Sequence, residues 1–155
     1  MKATTILGLD FGERRIGVAL SDIGKTLATG LTTLDCRQNP DYLSSLAEII
    51  REEDVEAIVV GYPLRTDGKT VAGGKTEAVD AFIAKLEARF GLPVHREDES
   101  FTSQMASQSL LARRAPGTRG KKKRGRNRGS DKAEIDRVAA CFILQDFLDH
   151  RGDAK

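Results

Sequence analysis

Residues 4–22, TTILGLDFGERRIGVALSD, decide how this chain folds. TTILGLD and RIGVALSD are short apolar runs of strand length, separated by the turn-like FGER. After a second turn at DIG comes a third run, KTLATGLTT. Three strands joined by such short turns predict an antiparallel meander. Asp10 ends the first run and is followed by Phe11-Gly12, so its carboxylate is expected at the end of a strand, where the chain turns.

Outward from this stretch the pattern changes to alternating helix and strand. Asn39-Pro40-Asp41 supplies an N-cap, a proline at the first helical position and an early acid, and Leu43, Leu46, Ala47 and Ile50 follow at helical spacing. EAIVVGYP (56–63) is a short apolar run closed by Gly and Pro, as in a buried parallel strand. The polar, Gly-rich RTDGKTVAGGK (65–75) is expected to be a loop. A helix over 76–90 buries Val79, Phe82, Ile83, Leu86 and Phe90, and Gly91 and Pro93 stop it. LPVHREDE (92–99) is the next strand, and a further helix runs from Thr102 to the paired Arg113 and Arg114. The last helix is expected from Asp131, where Asp131 and Glu134 resemble a capping box, with Ile135, Val138, Ala139, Phe142, Ile143 and Phe147 as its apolar stripe. A meander leading into β-α-β crossovers predicts an α/β fold with a mixed five-stranded sheet and helices on both faces, the architecture of RNase H-like domains.

The 155 residues fit a single domain over 1–150, with a basic loop at about 114–130 and a short tail at 151–155. The composition, 39% hydrophobic and 31% charged, is that of an ordinary globular protein. No segment approaches membrane-spanning length and the N-terminus lacks a signal-peptide pattern, so a cytoplasmic location is expected. Cys36 and Cys141 lack metal-site spacing and are expected as free thiols, and His95 and His150 are given no role. The net charge of +2 is unevenly spread: residues 113–128 hold nine basic residues and no acid, leaving the remainder acidic. Such a segment is attractive to a phosphate backbone, although a solvated charge run has the same composition.

In open sheets of this kind, ligands collect at the carboxyl ends of the strands. Asp10 is expected there, Asp98 and Glu99 close the fifth strand, and Asp136 lies near the rim of the last helix's apolar stripe. Carboxylates brought together repel unless a cation neutralises them, and hard divalent ions such as Mg²⁺ or Mn²⁺ take oxygen ligands. Two ions in such a site can activate water against a phosphodiester without a His or Ser nucleophile. Each acid also has an ordinary reading: Asp10 as a turn cap, Asp98 or Glu99 as loop acids, Asp136 as a surface helix residue.

Four blocks, LGLDFGERRIGVALSD, IVVGYPLRTDG, REDESFTSQMA and DKAEIDRVAA, resemble the YqgF family in order and over nearly the whole chain. Members of that family are described as Holliday junction resolvases and as nucleases that mature the 5′ end of pre-16S ribosomal RNA. The resemblance implies that Asp10, Glu99 and Asp136 are the metal-binding, catalytic acids, and it selects Glu99 over Asp98. Gly61, Pro63, Leu64, Asp67 and Gly68 match the family's loop after the fourth strand, and Lys132 matches a lysine ahead of the last acid. Ser100 departs from the family, which commonly has Arg there. The basic segment offers substitutes: Arg113, Arg114, Arg119, Lys121, Lys122, Lys123, Arg124, Arg126 and Arg128, with Lys132, are the expected nucleic-acid contacts. The implied partners are pre-ribosomal RNA or branched DNA, and the implied state is a monomer or a homodimer. Two other classes compete: a kinase-like ATPase sharing the D-x-G of Asp10-Phe11-Gly12, which needs two domains, and an RNase H-like module that binds nucleic acid without cutting it.

Overall fold

Strand β1 (Thr5–Phe11) occupies the middle of a five-stranded sheet. The computed structural model describes residues 3–12, 14–62, 75–98 and 128–153. Along the chain, β1 is followed by β2 (Arg15–Ser21), β3 (Ala28–Asp35), helix α1 (Tyr42–Glu52), β4 (Val55–Tyr62), α2 (Lys75–Phe90), β5 (Val94–Asp98) and α3 (Arg128–Asp153). The sheet order is β3-β2-β1-β4-β5. β1 to β3 pair antiparallel as the expected meander, whereas β4 runs parallel to β1 and β5 parallel to β4. The expected mixed sheet with helices on both faces is therefore present.

Strand alternation divides the core in two. Leu7 and Leu9 of β1, Ile16 and Val18 of β2, and Ile58 and Val60 of β4 point to one face, where Leu46 of α1 and Val79, Phe82, Ile83 and Leu86 of α2 cover them. On the opposite face Ile6, Ala19 and Val59 pack against Ala140, Ile143, Leu144 and Leu148 of α3. The Phe11 and Phe82 rings stack 4.4 Å apart, closing the first layer at the carboxyl edge of β1. At the other end of β1, the Ser21 hydroxyl accepts the Ile6 N–H at 2.8 Å and donates to the Asp22 carbonyl at 2.9 Å. The Asp22 carboxylate accepts the Thr26 and Leu27 N–H groups, which shapes the β2–β3 turn and holds its pKa below the usual range.

Several boundaries differ from the expectations. Asp41, not Asn39, holds the position before α1, because α1 begins at Tyr42 and Pro40 stays outside it. The Asp41 carboxylate accepts from the Ser44 hydroxyl at 2.9 Å, while the Asn39 amide donates to the Ser45 hydroxyl. α2 ends as expected, with Gly91 in the left-handed region at φ 67° and its N–H on the Glu87 carbonyl. α3 starts at Arg128 instead of Asp131 and continues to Asp153, so 128–130 are helical rather than part of the basic loop, and the helix extends into the expected tail. The helix expected from Thr102 and residues 65–74 of the expected polar loop lie outside the described residues, while Lys75, expected in that loop, is the first residue of α2. Both cysteines are free and half-buried, and the Cys141 thiol donates to the Ala28 carbonyl.

Candidate functional site

Asp10 is the next-to-last residue of β1, paired across the antiparallel ladder with Gly17. By alternation it shares the α3 face with Ile6 and Gly8. A Cβ placed on Gly8 would lie 2.7 Å from the Leu144 Cβ, so α3 rests directly on this row. The contact at Gly17 is closer still. A Cβ there would fall 1.9 Å from the Asp136 carbonyl oxygen, 2.4 Å from its carbonyl carbon and 3.0 Å from the Arg137 nitrogen. Only a residue without a side chain fits beneath α3 at this point.

The backbone of Asp136 thus lies on the strand position directly opposite Asp10, and both acids are half-buried. Two rigid elements carry them: a central strand with neighbours on both sides, and a long helix whose apolar stripe is buried against that strand. Arg137, next to Asp136, lies across Gly30 of β3, its Cγ 2.8 Å from where a Cβ would be, and its guanidinium is 3.6 Å from Glu134. The two backbones are thus held on rigid elements, and a carboxylate is a hard oxygen donor of the kind divalent cations take.

Glu99, the third acid expected in this site, lies outside the described residues, as do Arg113, Arg114, Arg119, Lys121, Lys122, Lys123, Arg124 and Arg126. Asp98, just ahead of Glu99, is the last residue of β5 and pairs with Tyr62. Arg128 and Lys132 fall in the first turns of α3, on the amino-terminal side of Asp136. Gly61 is buried in β4 and pairs with Glu97, while Pro63, Leu64, Asp67 and Gly68 lie outside the described residues.

Two features were not anticipated in the sequence. His95 tilts against Phe147 with 5.0 Å between ring centres, which fixes the α3 face of β5. Two residues on, Glu97 faces the same helix: its Oε2 is 3.4 Å from His150 Nδ1, and His150 Nε2 is 3.9 Å from Asp146 Oδ1. The Glu97 side chain is only 13% exposed. Burial pushes its carboxyl up from the ordinary 4.5 to about 7; the Asp146 carboxylate adds to the rise and His150 opposes it. The only signal in the sequence was the one-turn spacing of Asp146 and His150.

A meander extended by two parallel strands, with one acid ending the central strand and another on a helix laid across it, defines an RNase H-like domain. Solved structures of resolvases share this fold. RuvC of T. thermophilus, determined in complex with a Holliday junction substrate, aligns with a TM-score of 0.53 and 16% identity over 96% of each chain. The Fowlpox virus resolvase aligns at 0.55 with 11% identity, over 96% of this chain and 99% of that one. The chain belongs to the RuvX (YqgF) family, described as Holliday junction resolvase and matched over residues 4–150. Relatives named as candidate pre-16S rRNA nucleases include one from Syntrophus aciditrophicus (strain SB), 43% identical over 93% of this chain and 87% of its own length. Another, from Chloroflexus aggregans (strain MD-66 / DSM 9485), is 38% identical over 97% of both chains. Among the described residues no helix is long and apolar enough to cross a membrane.

Proposed function

We propose that this chain is a nuclease that hydrolyses phosphodiester bonds in precursor ribosomal RNA, with Asp10, Glu99 and Asp136 as its acidic centre. The observation that carries this reading is the seating of Asp136 on Gly17, directly across the ladder from Asp10. Carboxylates converging from these two positions would repel each other, and a divalent cation would relieve that repulsion. The donor set fits Mg²⁺ or Mn²⁺, which take carboxylate oxygens and keep further positions for water and phosphate. Asp10 and Asp136 would hold the ions, and β5, which faces the same helix through His95 and Glu97, leads into Glu99 as the third ligand. When bound, two such ions supply an activated water and stabilise the leaving oxygen.

The chain's own contribution is positioning. Carried on β1 and α3, the carboxylates would be positioned before substrate arrives, so little reorganisation would be needed during reaction. The basic residues from Arg113 to Arg128, with Lys132, grip phosphates flanking the cut, and they lead directly into the helix that carries Asp136. Precursor 16S RNA is the preferred substrate because the relatives matching most of the chain bear that description. Branched DNA is the second reading, favoured by the family's description; a symmetric homodimer would then place two sites on one junction.

Side-by-side cleavage of a pre-16S RNA fragment and a four-way DNA junction, each with Mg²⁺ or Mn²⁺, tests the assignment. Faster cutting of the RNA at its 5′ leader is expected. Faster, symmetric cutting of the junction would overturn the substrate assignment.

A further inference from the structure

α3 carries a second set of donors well beyond Asp136. Asp146 and His150 are one helical turn apart on the same face, and lie about 15 and 21 Å along the axis from Asp136 at ~1.5 Å per residue. Glu97 approaches them from β5, and one donor atom from each of the three residues falls within 4.8 Å of the others. We propose that Glu97, Asp146 and His150 form a separate binding site for one divalent transition cation of the zinc type, which pins the end of α3 to β5.

The chemistry of the set distinguishes it from the Asp10–Asp136 centre. An imidazole beside two carboxylates suits Zn²⁺ and its neighbours in the transition series better than Mg²⁺, which prefers oxygen alone. Donors bound about 2.0–2.1 Å from a tetrahedral zinc stand roughly 3.4 Å from one another. Glu97 Oε2 and His150 Nδ1 are 3.4 Å apart, the spacing of two donors on one such ion. A cation there would replace the direct contacts that Glu97 makes with Asp146 and His150. Three protein donors leave a fourth position for water, and the exposed side of His150 gives a path of entry.

The donors are also held in place by their neighbours. Leu148, between Asp146 and His150, is buried in the core layer, and Phe147 packs on His95, two residues before Glu97 on the same face of β5. The helix and the strand are thus docked on both sides of the donor set, so a cation need not gather the ligands from flexible segments. Its consequence is mechanical: it would tighten the outer strand of the sheet, the one that leads to Glu99.

The test uses tag-free, full-length chain carrying Asp10→Asn, Glu99→Gln and Asp136→Asn, so that the acidic centre contributes nothing, with Mg²⁺ in excess. Co²⁺ is titrated while its visible ligand-field absorption is recorded, and Zn²⁺ is then added as competitor. One Co²⁺ per chain is expected, displaced by Zn²⁺. His150→Ala and, separately, Asp146→Asn should each weaken uptake roughly tenfold or more, while Asp149→Asn, one residue outside the set, should leave it unchanged. Asp146 is half exposed, so its variant keeps the fold even if loss of His150 does not. Absence of a tetrahedral Co²⁺ spectrum, or equal uptake by the Asp146→Asn chain, would overturn the proposal. Either result is independent of whether the protein cuts RNA.

Discussion

Asp136 places its carbonyl oxygen 1.9 Å from the point a Cβ on Gly17 would occupy. This contact seats α3 on β2, and through the ladder pairing of Gly17 with Asp10 it sets the Asp136 backbone across from Asp10. The position of the proposed catalytic centre thus depends on a residue with no functional group.

Gly17→Ala should therefore damage both stability and activity. The added methyl meets backbone, which cannot rotate away, so α3 must shift, at about 1–3 kcal/mol for overpacking of this kind. Displacing Asp136 by even about 1 Å should cost cleavage on the order of a hundredfold. Gly24→Ala is the control, because its nearest neighbour is a side-chain oxygen 3.5 Å away. Urea unfolding and cleavage measured on both variants check the contrast.

Removing charge from the basic segment should act through salt dependence. Replacing Lys121, Lys122 and Lys123 by Ala should reduce the slope of log affinity against log salt by about 2–3, at ~0.7–0.9 per lost phosphate contact. Residues from Arg128 onward are left intact because they begin α3. RNA binding followed across a salt series measures the slope, and an unchanged slope would remove the segment from the interface.

Glu97 should leave a pH signature in stability. Its carboxyl titrates near 7 in the folded chain against 4.5 ordinarily, so between these values the folded state holds more proton than the unfolded state. Stability from this group is full below about pH 4.5 and is lost as pH rises towards 7. Glu97→Gln removes that dependence. Relative to wild type, the variant should gain stability between pH 5 and pH 8 in urea unfolding without added metal; a parallel offset at both pH values would contradict the account.

Most of the fold was legible because it rests on periodicity. The strand runs around Asp10, the buried EAIVVGYP strand and the stripe from Val79 to Phe90 each follow from the spacing of apolar residues. Boundaries were less so: the sequence points to Asn39 as the cap, but the position before α1 falls to Asp41, whose side chain caps no backbone N–H, and the Asn39 N–H is instead taken by the Asp35 carbonyl as the chain leaves β3. The start of α3 at Arg128 was missed because Asp131 carries a convincing start signal of its own. At the site, Asp10 was visible as a strand-ending acid. Glu97 and His150 were not, because they meet only through the crossing of α3 over β5, and no local pattern records that. Gly17 looked like any strand glycine until the helix above it was placed.

The most direct test is cleavage of a pre-16S RNA fragment by tag-free protein with Mg²⁺ or Mn²⁺, compared with Asp10→Asn and Asp136→Asn. The account predicts cutting by wild type, background levels in both variants, and RNA binding equal in all three. Equal cutting by all three proteins would show that these acids do not form the centre.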